Sequence, residues 1–253
     1  MILDADSLAP PLSQPSVGGE QPKTAPGVVP RSQTGRIVRG IARRIWRRAD
    51  DFALRRDLRS AGLKNVGSIK TWTSPAELKA LYDLALSRPP GTGVLEVGSY
   101  LGASTCYIAA ALARRGGMLT CIDTWQNQTM PEGERDTYGE FLRNVAPIKD
   151  RLVLVRKRTE EIVPADLGEP FHLIFLDGDH SYPAVKADFQ KVAPFLAPGG
   201  IIAFHDARDF SGVSRTIGEA LAGGEWHVIG MVENLLWIRR AEWDNWLTKT
   251  GGT

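Results

Sequence analysis

The stretch VLEVGSYLGAST, residues 94–105, decides the fold of this chain. A short apolar run ends at Gly98, and a second glycine, Gly102, precedes a Ser-Thr pair that opens a helical pattern. This order predicts a strand, a tight loop and a helix, since glycine allows a sharp turn and close backbone approach. The first turn of such a helix directs free N–H groups at the loop, which favours binding of an anionic group there.

Outward from this stretch, apolar runs alternate with helical patterns. The predicted strands are 94–97, 118–122, 152–155, 173–176, 201–204, 226–231 and 235–238, and the predicted helices are one that starts at the cap Ser74, 104–114, 134–145 and 183–196. Near-continuous apolar strands between helices are typical of a parallel sheet covered on both faces. The short connection between the last two strands predicts an antiparallel pair. The fold class is therefore α/β: a doubly wound, mostly parallel, seven-stranded sheet with an antiparallel terminal pair.

Ligands of such sheets bind at the carboxyl ends of the strands. The loop offers Glu96, Gly98, Gly102 and Ser104, and its G-x-x-x-G spacing differs from the dinucleotide G-x-G-x-x-G, which disfavours nicotinamide and flavin binding. The glutamate suits a ligand that carries an ammonium group. Asp123 ends the second strand, 25 residues beyond Gly98, where an acid accepts the hydroxyls of a ribose.

A second set of polar residues follows the fourth and fifth predicted strands. FHLIFLDGDHSY (171–182) places Asp177, Asp179 and His180 at one strand end, and GGIIAFHDAR (199–208) places His205 and Asp206 at the next. Neighbouring parallel strands bring these groups together. Carboxylates suit a hard divalent cation such as Mg²⁺, and a histidine or second aspartate beside it suits a proton acceptor. Taken singly, each residue is equally typical of a turn or a structural hydrogen bond.

These motifs carry a family resemblance. EVGSYLGAS followed by IDTW resembles the class I S-adenosylmethionine-dependent methyltransferases, and LDGDHSY followed by LAPGGIIAFHD resembles their macrocin-type and cephalosporin-hydroxylase-like small-molecule O-methyltransferases. The resemblance spans residues 74–238. It implies a Rossmann-like methyltransferase fold, S-adenosylmethionine as the cofactor, and methyl transfer to a hydroxyl of a small molecule, above all a sugar, a glycoside or a natural product.

The resemblance also implies roles for individual residues. It implies that Mg²⁺ is held by Asp177 and Asp206 together with His205, which stands where many relatives have an acid. The proton acceptor falls on Asp179 or His180, of which His180 is favoured by its ordinary pKa. Asp177 also lies beside the cofactor. Lys157-Arg158-Thr159 replaces the Gly-Asp-Ser that contacts adenine in relatives, and Thr159 remains as a cofactor-binding candidate.

Further residues have two interpretations each. Trp125 suits either stacking on a base or packing in the core. The polar stretch 125–138 suits a lid or substrate loop over the same sheet end, and residues 208–210 suit either its opposite rim or an ordinary loop.

The N-terminal part of the chain differs in composition from the rest. Residues 1–35 hold six of the sixteen prolines, which predicts a disordered tail, and residues 31–60 hold ten arginines and three aspartates. Isoleucines at 37, 41 and 45 predict a basic amphipathic helix over 36–60. The methyltransferase domain is then expected at 61–240, with a C-terminal tail at 241–253. The helix suits docking on the domain or on a second subunit, with weak membrane-surface contact by 36–59 as an alternative.

Two other functions compete with the leading one. A nucleic-acid methyltransferase would use the arginine-rich segment as an electrostatic arm, but Asp-Gly-Asp-His stands where base N-methylation normally uses Asn/Asp-Pro-Pro-aromatic, so we disfavour it. A non-catalytic membrane-associated or oligomerising module would keep only a vestigial cofactor site. Two cysteines make neither a disulfide scaffold nor a zinc site, which favours the cytoplasm, and no apolar run predicts a transmembrane segment.

Overall fold

The computed structural model describes residues 51–128, 132–168 and 170–243. Its centre is a seven-stranded sheet in the order β3-β2-β1-β4-β5-β7-β6. The strands are β1 (Gly93–Val97), β2 (Met118–Ile122), β3 (Leu152–Val155), β4 (Phe171–Leu176), β5 (Leu196–Phe204), β6 (Trp226–Val232) and β7 (Leu235–Arg240). The first five run parallel, and β7 pairs antiparallel with both β5 and β6. The predicted fold class, including the antiparallel terminal pair, is confirmed.

Helices connect the strands and cover the sheet. They are α1 (51–60, the described part), α2 (Pro75–Leu86), α3 (Ala103–Arg115), α4 (Tyr138–Val145), α5 (Pro164–Leu167), α6 (Tyr182–Val192) and α7 (Ser211–Ala222). The helix prediction was wrong for 134–137, which precede α4, and for Leu196, which begins β5. Residues Ala193–Phe195 continue α6 as a 3-10 helix. The sequence had not indicated α5 or α7.

The cap predicted at Ser74 is a full capping box. The Ser74 hydroxyl accepts from the Glu77 backbone N–H at 3.3 Å, and the Glu77 carboxylate accepts from the Ser74 N–H at 2.8 Å. Two N–H groups that the helix itself leaves unpaired are satisfied in this way. The same glutamate later proves to face the candidate site.

The register of the strands aligns the carboxyl ends of β1, β2, β4 and β5. Val97 of β1 is paired with Ile122 of β2 and with Leu176 of β4, and Leu176 is paired with Phe204 of β5. The residues that follow these strands therefore emerge side by side along one edge of the sheet.

Helix α1 packs into the hydrophobic core. Leu54 and Leu58 are buried in the same apolar cluster as Leu81 of α2. Asp57, beside them, accepts a hydrogen bond from the Tyr82 hydroxyl at 2.7 Å. Residues 51–60 are thus part of the domain, which was expected to begin at 61. The predicted tail 1–35, residues 36–50 of the predicted basic helix and residues 244–253 of the predicted tail 241–253 lie outside the described residues. Residues Ala241–Trp243 of that tail form a 3-10 helix. In the part of the chain that the structure describes, no helix is long and apolar enough to cross a membrane.

Candidate active site

The glycine loop lies tight against the end of β4. Gly98 has φ +86°, and a Cβ atom there would stand 2.0 Å from the carbonyl oxygen of Asp177. The Gly98 N–H donates to the Ile122 carbonyl at 2.9 Å, so the loop is fixed to β2 as well. Only glycine fits this position, because both the space and the positive φ exclude a side chain.

Asp123, at the end of β2, holds the loop from the other side. Its Oδ2 accepts the backbone N–H groups of Ser99 and Tyr100, each at 2.8 Å, and its Oδ1 accepts that of Trp125 at 2.6 Å. Burial raises the pKa of this carboxyl above its usual value, although these hydrogen bonds act in the opposite direction. The side chain lines the cavity described below.

Glu96 requires a correction to its expected role. It is fully buried, and its carboxylate accepts the hydroxyls of Ser99, Ser104 and Thr105 at 2.5–2.7 Å. Burial raises its pKa, despite those three hydrogen bonds. The carboxylate is thus enclosed beneath the loop, where it braces the start of α3 instead of meeting an ammonium group.

Gly102 also has a different role from the one expected. It begins α3 with φ +90°, and a Cβ atom there would meet Val145 at 2.8 Å and Phe141 at 3.1 Å. The residue therefore serves the packing of α3 against α4. It is not among the residues that line the cavity.

One cavity of about 680 Å³ runs along the carboxyl ends of the strands. Its walls contain most of the predicted site residues: Gly98, Ser104, Asp123, Thr159, Asp177, Asp179, His180, His205 and Asp206. The sequence had not indicated several other lining residues: Lys70, Thr71, Trp72, Thr73, Glu77, Asp188 and Asn234. The first five precede or open α2, a region in which no motif had suggested a site.

The acids and histidines after β4 and β5 form one cluster. His180 Nε2 lies 3.2 Å from Asp206 Oδ2 and 3.7 Å from Asp177 Oδ1. The His180 ring is held from the side by Phe210, with ring centroids 4.3 Å apart. Burial lowers the pKa of His180, but the two carboxylates outweigh burial and the net shift is upward. Asp179 lies at the edge of the cluster and accepts the Ser181 N–H at 2.7 Å.

His205 is placed differently from the metal ligand that was expected. Its Nδ1 lies 3.0 Å from Asp177 Oδ1, and its Nε2 lies 3.3 Å from Glu77 Oε2. Burial lowers the pKa of His205, but Asp177 and Asp206 raise it to about 11. An imidazolium that directs both ring nitrogens at carboxylates has no lone pair for a metal ion. His205 is also not in the group of described residues whose ligand atoms converge, so its role as a metal ligand stays a prediction.

The buried cation in turn affects its neighbour. Burial raises the pKa of Asp177, while the charge of His205 and hydrogen bonds from His180 and His205 bring it below its usual value. Asp177 is thus kept ionised in a site where burial alone would favour the neutral acid.

Three side chains are close enough together to hold a cation. Ligand atoms of Asp177, His180 and Asp206 all lie within 4.8 Å of one another. Two carboxylates and an imidazole are a donor set that suits a divalent cation. The chemistry of the residues present therefore fits a metal ion, with Asp177 and Asp206 as carboxylate ligands and His180 within reach of the same position.

Trp125 packs in the core. It is fully buried, with its ring 4.9 Å from that of Tyr138 and 4.8 Å from that of Phe141. Further along the predicted lid, Asn127 and Gln128 reach the cavity wall, and residues 129–131 lie outside the described residues. On the opposite rim, Asp209 and Phe210 line the cavity.

Comparison with known proteins finds a family model that matches part of the chain and solved structures of similar fold. Residues 95–207 match the family model described as "Methyltransferase domain". The solved O-methyltransferase NovP is 14% identical with a TM-score of 0.55, over 64% of this chain and 78% of that one. The Podospora anserina methyltransferase PaMTH1, solved bound to S-adenosylhomocysteine, is 14% identical with a TM-score of 0.54, over 85% of this chain and 99% of that one.

A curated relative is similar in sequence. The protein named "Putative O-methyltransferase" from Mycobacterium sp. (strain JLS) is 32% identical over 116 residues, which are 45% of this chain and 48% of the relative. The matched region covers 48% of this relative and 13% of another, so the chain spans less than half the length of the curated relatives it matches.

Proposed function

We propose that this chain, whose residues 95–207 belong to the methyltransferase-domain family, is an S-adenosylmethionine-dependent O-methyltransferase that acts on a hydroxyl of a small molecule. The family match confirms the resemblance predicted from the motifs. The observation that carries the proposal is a shared cavity: the glycine loop with Asp123 and the cluster of Asp177, His180 and Asp206 line the same space.

The cavity fits the cofactor. Its volume of about 680 Å³ is within the range of small-molecule sites. Gly98 and Asp123 both line this cavity, and an acid at the end of the second strand suits the hydroxyls of a ribose. Neighbours of the same fold have been solved with related ligands: TomG from Streptomyces achromogenes in complex with S-adenosylmethionine, and PaMTH1 with S-adenosylhomocysteine.

A divalent cation such as Mg²⁺ would be held by Asp177 and Asp206. When bound, it would lower the pKa of the acceptor hydroxyl and orient it. His205 holds Asp177 from behind, with its Nδ1 3.0 Å from Asp177 Oδ1. We assign His180 to the proton-accepting role, because its Nε2 lies 3.2 Å from Asp206, next to where a hydroxyl held by the cation would sit.

The chemistry is a direct displacement. S-adenosylmethionine, when bound, would supply the methyl group to the acceptor oxygen and take back the electron pair of the broken carbon–sulfur bond. His180 Nε2 would accept the proton of the acceptor hydroxyl. The protein therefore acts mainly by positioning the two partners and by accepting the proton.

The acceptor is proposed to be a sugar, a glycoside or another hydroxylated natural product. Two aromatic side chains support this class, since Trp72 is 60% exposed and Phe210 42% exposed while both line the cavity. Exposed aromatic rings at a cavity wall offer flat apolar surfaces to a ring-shaped ligand. A cytoplasmic location and a homo-oligomeric state stay predictions.

Two experiments test the proposal. Isothermal titration of the folded protein with S-adenosylhomocysteine should show binding, and absence of binding would remove the cofactor assignment. A methyl-transfer screen over hydroxylated acceptors, run with Mg²⁺ and with EDTA, should show transfer that EDTA reduces. Methyl transfer at the same rate with EDTA would overturn the assignment of a cation but not the assignment of a methyltransferase.

A further inference from the structure

Asp188 is a cavity residue that the proposed chemistry does not use. It lies in the second turn of α6, and its carboxylate reaches the loop after β4, where Oδ2 would stand 3.1 Å from a Cβ atom placed on Gly178. On its other side it faces the hydroxyl of Thr159, which follows β3. Asp188, Gly178 and Thr159 all line the cavity, and the contact between Asp188 and Thr159 marks the end of the cavity beside the loop after β3.

The order of the strands decides which part of a nucleoside ligand reaches this end. β1 carries the glycine loop, β2 carries Asp123, and β3 lies outside β2. A ligand with its charged tail at Gly98 and its ribose at Asp123 therefore extends its base toward Thr159 and Asp188. The base of the proposed cofactor is adenine, whose exocyclic amino group is a hydrogen-bond donor.

The charged groups at this end of the cavity favour a ligand group that donates a hydrogen bond. Lys157 is paired with Asp166 at 2.8 Å, and Arg158 lies 3.4 Å from Glu160, so both nearby cations have carboxylate partners. The Asp188 carboxylate, in contrast, is turned into the cavity wall. Burial raises the pKa of Asp188 to about 6, although the hydrogen bond of Thr159 acts in the opposite direction. A further hydrogen-bond donor would therefore stabilise the ionised carboxylate.

We propose that Asp188 accepts a hydrogen bond from the exocyclic amino group of adenine and thereby selects an adenine nucleoside over a 6-oxopurine. The inference rests on the proposed function, since it presupposes the S-adenosyl cofactor. A 6-oxopurine presents a carbonyl oxygen at the same place, and two acceptors face each other without a proton between them.

The experiment compares two ligands by isothermal titration at pH 8, where Asp188 is ionised. S-adenosylhomocysteine is the first, and S-inosylhomocysteine, which has oxygen in place of the amino group, is the second. The wild-type protein should bind the adenine ligand roughly ten- to a hundredfold more tightly, the range expected for a hydrogen bond to a charged group. In Asp188→Asn the side chain offers an N–H₂ donor, and the preference should fall to about one or reverse.

Glu160→Gln is the matched control. Glu160 is an acid of the same cavity end, but its side chain is 63% exposed and lies beside Arg158. The variant should keep the wild-type ratio. Asp188→Ser guards against a folding defect in the Asn variant, and it should lose the preference as well. Far-UV circular dichroism checks the fold of all three variants.

The outcomes separate the two proposals. If the wild-type protein binds neither ligand, the proposed function fails and this inference fails with it. If S-adenosylhomocysteine binds and the ratio is the same in Asp188→Asn as in the wild type, only the role of Asp188 is overturned. An equal loss of preference in Glu160→Gln would also overturn it, because the effect would then come from the general negative charge.

Discussion

His205 shows why a residue's role depends on partners that are remote in sequence. In the sequence it stands next to Asp206, which suggested a pair of metal ligands. In the structure its Nε2 lies beside the carboxylate of Glu77, which is 128 residues earlier in the chain. Glu77 is itself held by the Ser74 N–H and by the Asn234 N–H at 2.7 Å. A cation enclosed by three carboxylates cannot be inferred from a His-Asp dipeptide.

The first prediction concerns Glu77 as a positioning residue. Glu77→Gln should leave His205 without its carboxylate, allow the ring to turn, and loosen Asp177. We expect the affinity for Mn²⁺, measured by titration calorimetry or electron paramagnetic resonance, to fall about tenfold, as is typical when a metal ligand loses its support. Binding of S-adenosylhomocysteine should stay unchanged.

Ser74→Ala is the control for that variant, because it removes the hydroxyl half of the same helix cap and does not touch His205. Its Mn²⁺ affinity should equal that of the wild type. If both variants weaken Mn²⁺ binding equally, Glu77 acts only through the start of α2.

The second prediction separates the two roles open to His180. As a proton acceptor, His180→Ala should lower kcat by roughly 10²- to 10⁴-fold and leave Mn²⁺ affinity within about twofold of the wild type. As a ligand, it should weaken Mn²⁺ binding as strongly as Asp206→Ala does. Parallel titrations of the two variants decide the matter, and equal losses would return the proton-accepting role to Asp179.

The third prediction concerns the stability cost of Asp188. Its pKa is about 6 in the folded protein against the ordinary 3.8, so the folded state binds the proton more tightly between these values. Stability therefore falls as the pH rises through this window, by at most roughly 3 kcal/mol. Asp188→Asn has no such cost, so its melting temperature minus that of the wild type should grow from pH 4 to pH 7 and then level off. A difference that does not change with pH would contradict the shift.

At the scale of elements, the contact between the glycine loop and β4 is the tightest constraint on the site. Gly98→Ala would place a methyl group 2.0 Å from the Asp177 carbonyl, which forces β1 and β4 apart where both carry functional residues. We expect loss of S-adenosylhomocysteine binding by at least about tenfold and destabilisation of about 2 kcal/mol. Thermal melts and titration calorimetry measure the two effects.

Gly218→Ala is the matched control for that change. Gly218 lies inside α7 with open space around its Cα, so alanine should stabilise the helix by roughly 0.5–1 kcal/mol and leave binding unchanged. If Gly98→Ala binds as tightly as this control, the close approach is not needed for the site.

The composition of the buried face decides which helices and strands could be predicted from the sequence. Strands such as β2 and β3 were predicted with their observed ends, because each is a short, mostly apolar run bounded by glycine or charged residues. Helix α7 escaped prediction, since its buried face includes Gly212 and Thr216 and so lacks a large apolar stripe. The site residues after β1, β2, β4 and β5 could be placed because strand ends of a parallel sheet align. Site residues that do not follow a strand, such as Asp188, depend on the orientation of a helix and could not be placed from the sequence.

At the scale of the whole molecule, the structure moves the start of the domain. The sequence favoured docking of the basic helix on the domain or on a second subunit, and α1, its described part, directs Leu54 and Leu58 into the core beside Leu81. A helix with one buried side keeps its arginines on the other, so a high charge does not prevent such packing. The basic stretch is therefore divided: residues 51–60 belong to the domain, and any membrane or nucleic-acid contact is to be sought in the residues before them.

The last prediction tests that division. Asp57 is the polar anchor of α1: its side chain is 7% exposed, and it accepts from the Tyr82 hydroxyl at 2.7 Å and from Arg114 Nη1 at 3.2 Å. Asp57→Ala should leave the buried Tyr82 hydroxyl without its acceptor and lower the free energy of unfolding by about 2 kcal/mol. Asp51→Ala, an exposed acid of the same helix, should change it by less than about 0.5 kcal/mol. Urea unfolding of both variants measures this, and equal stabilities would mean that α1 lies on the domain without supporting it.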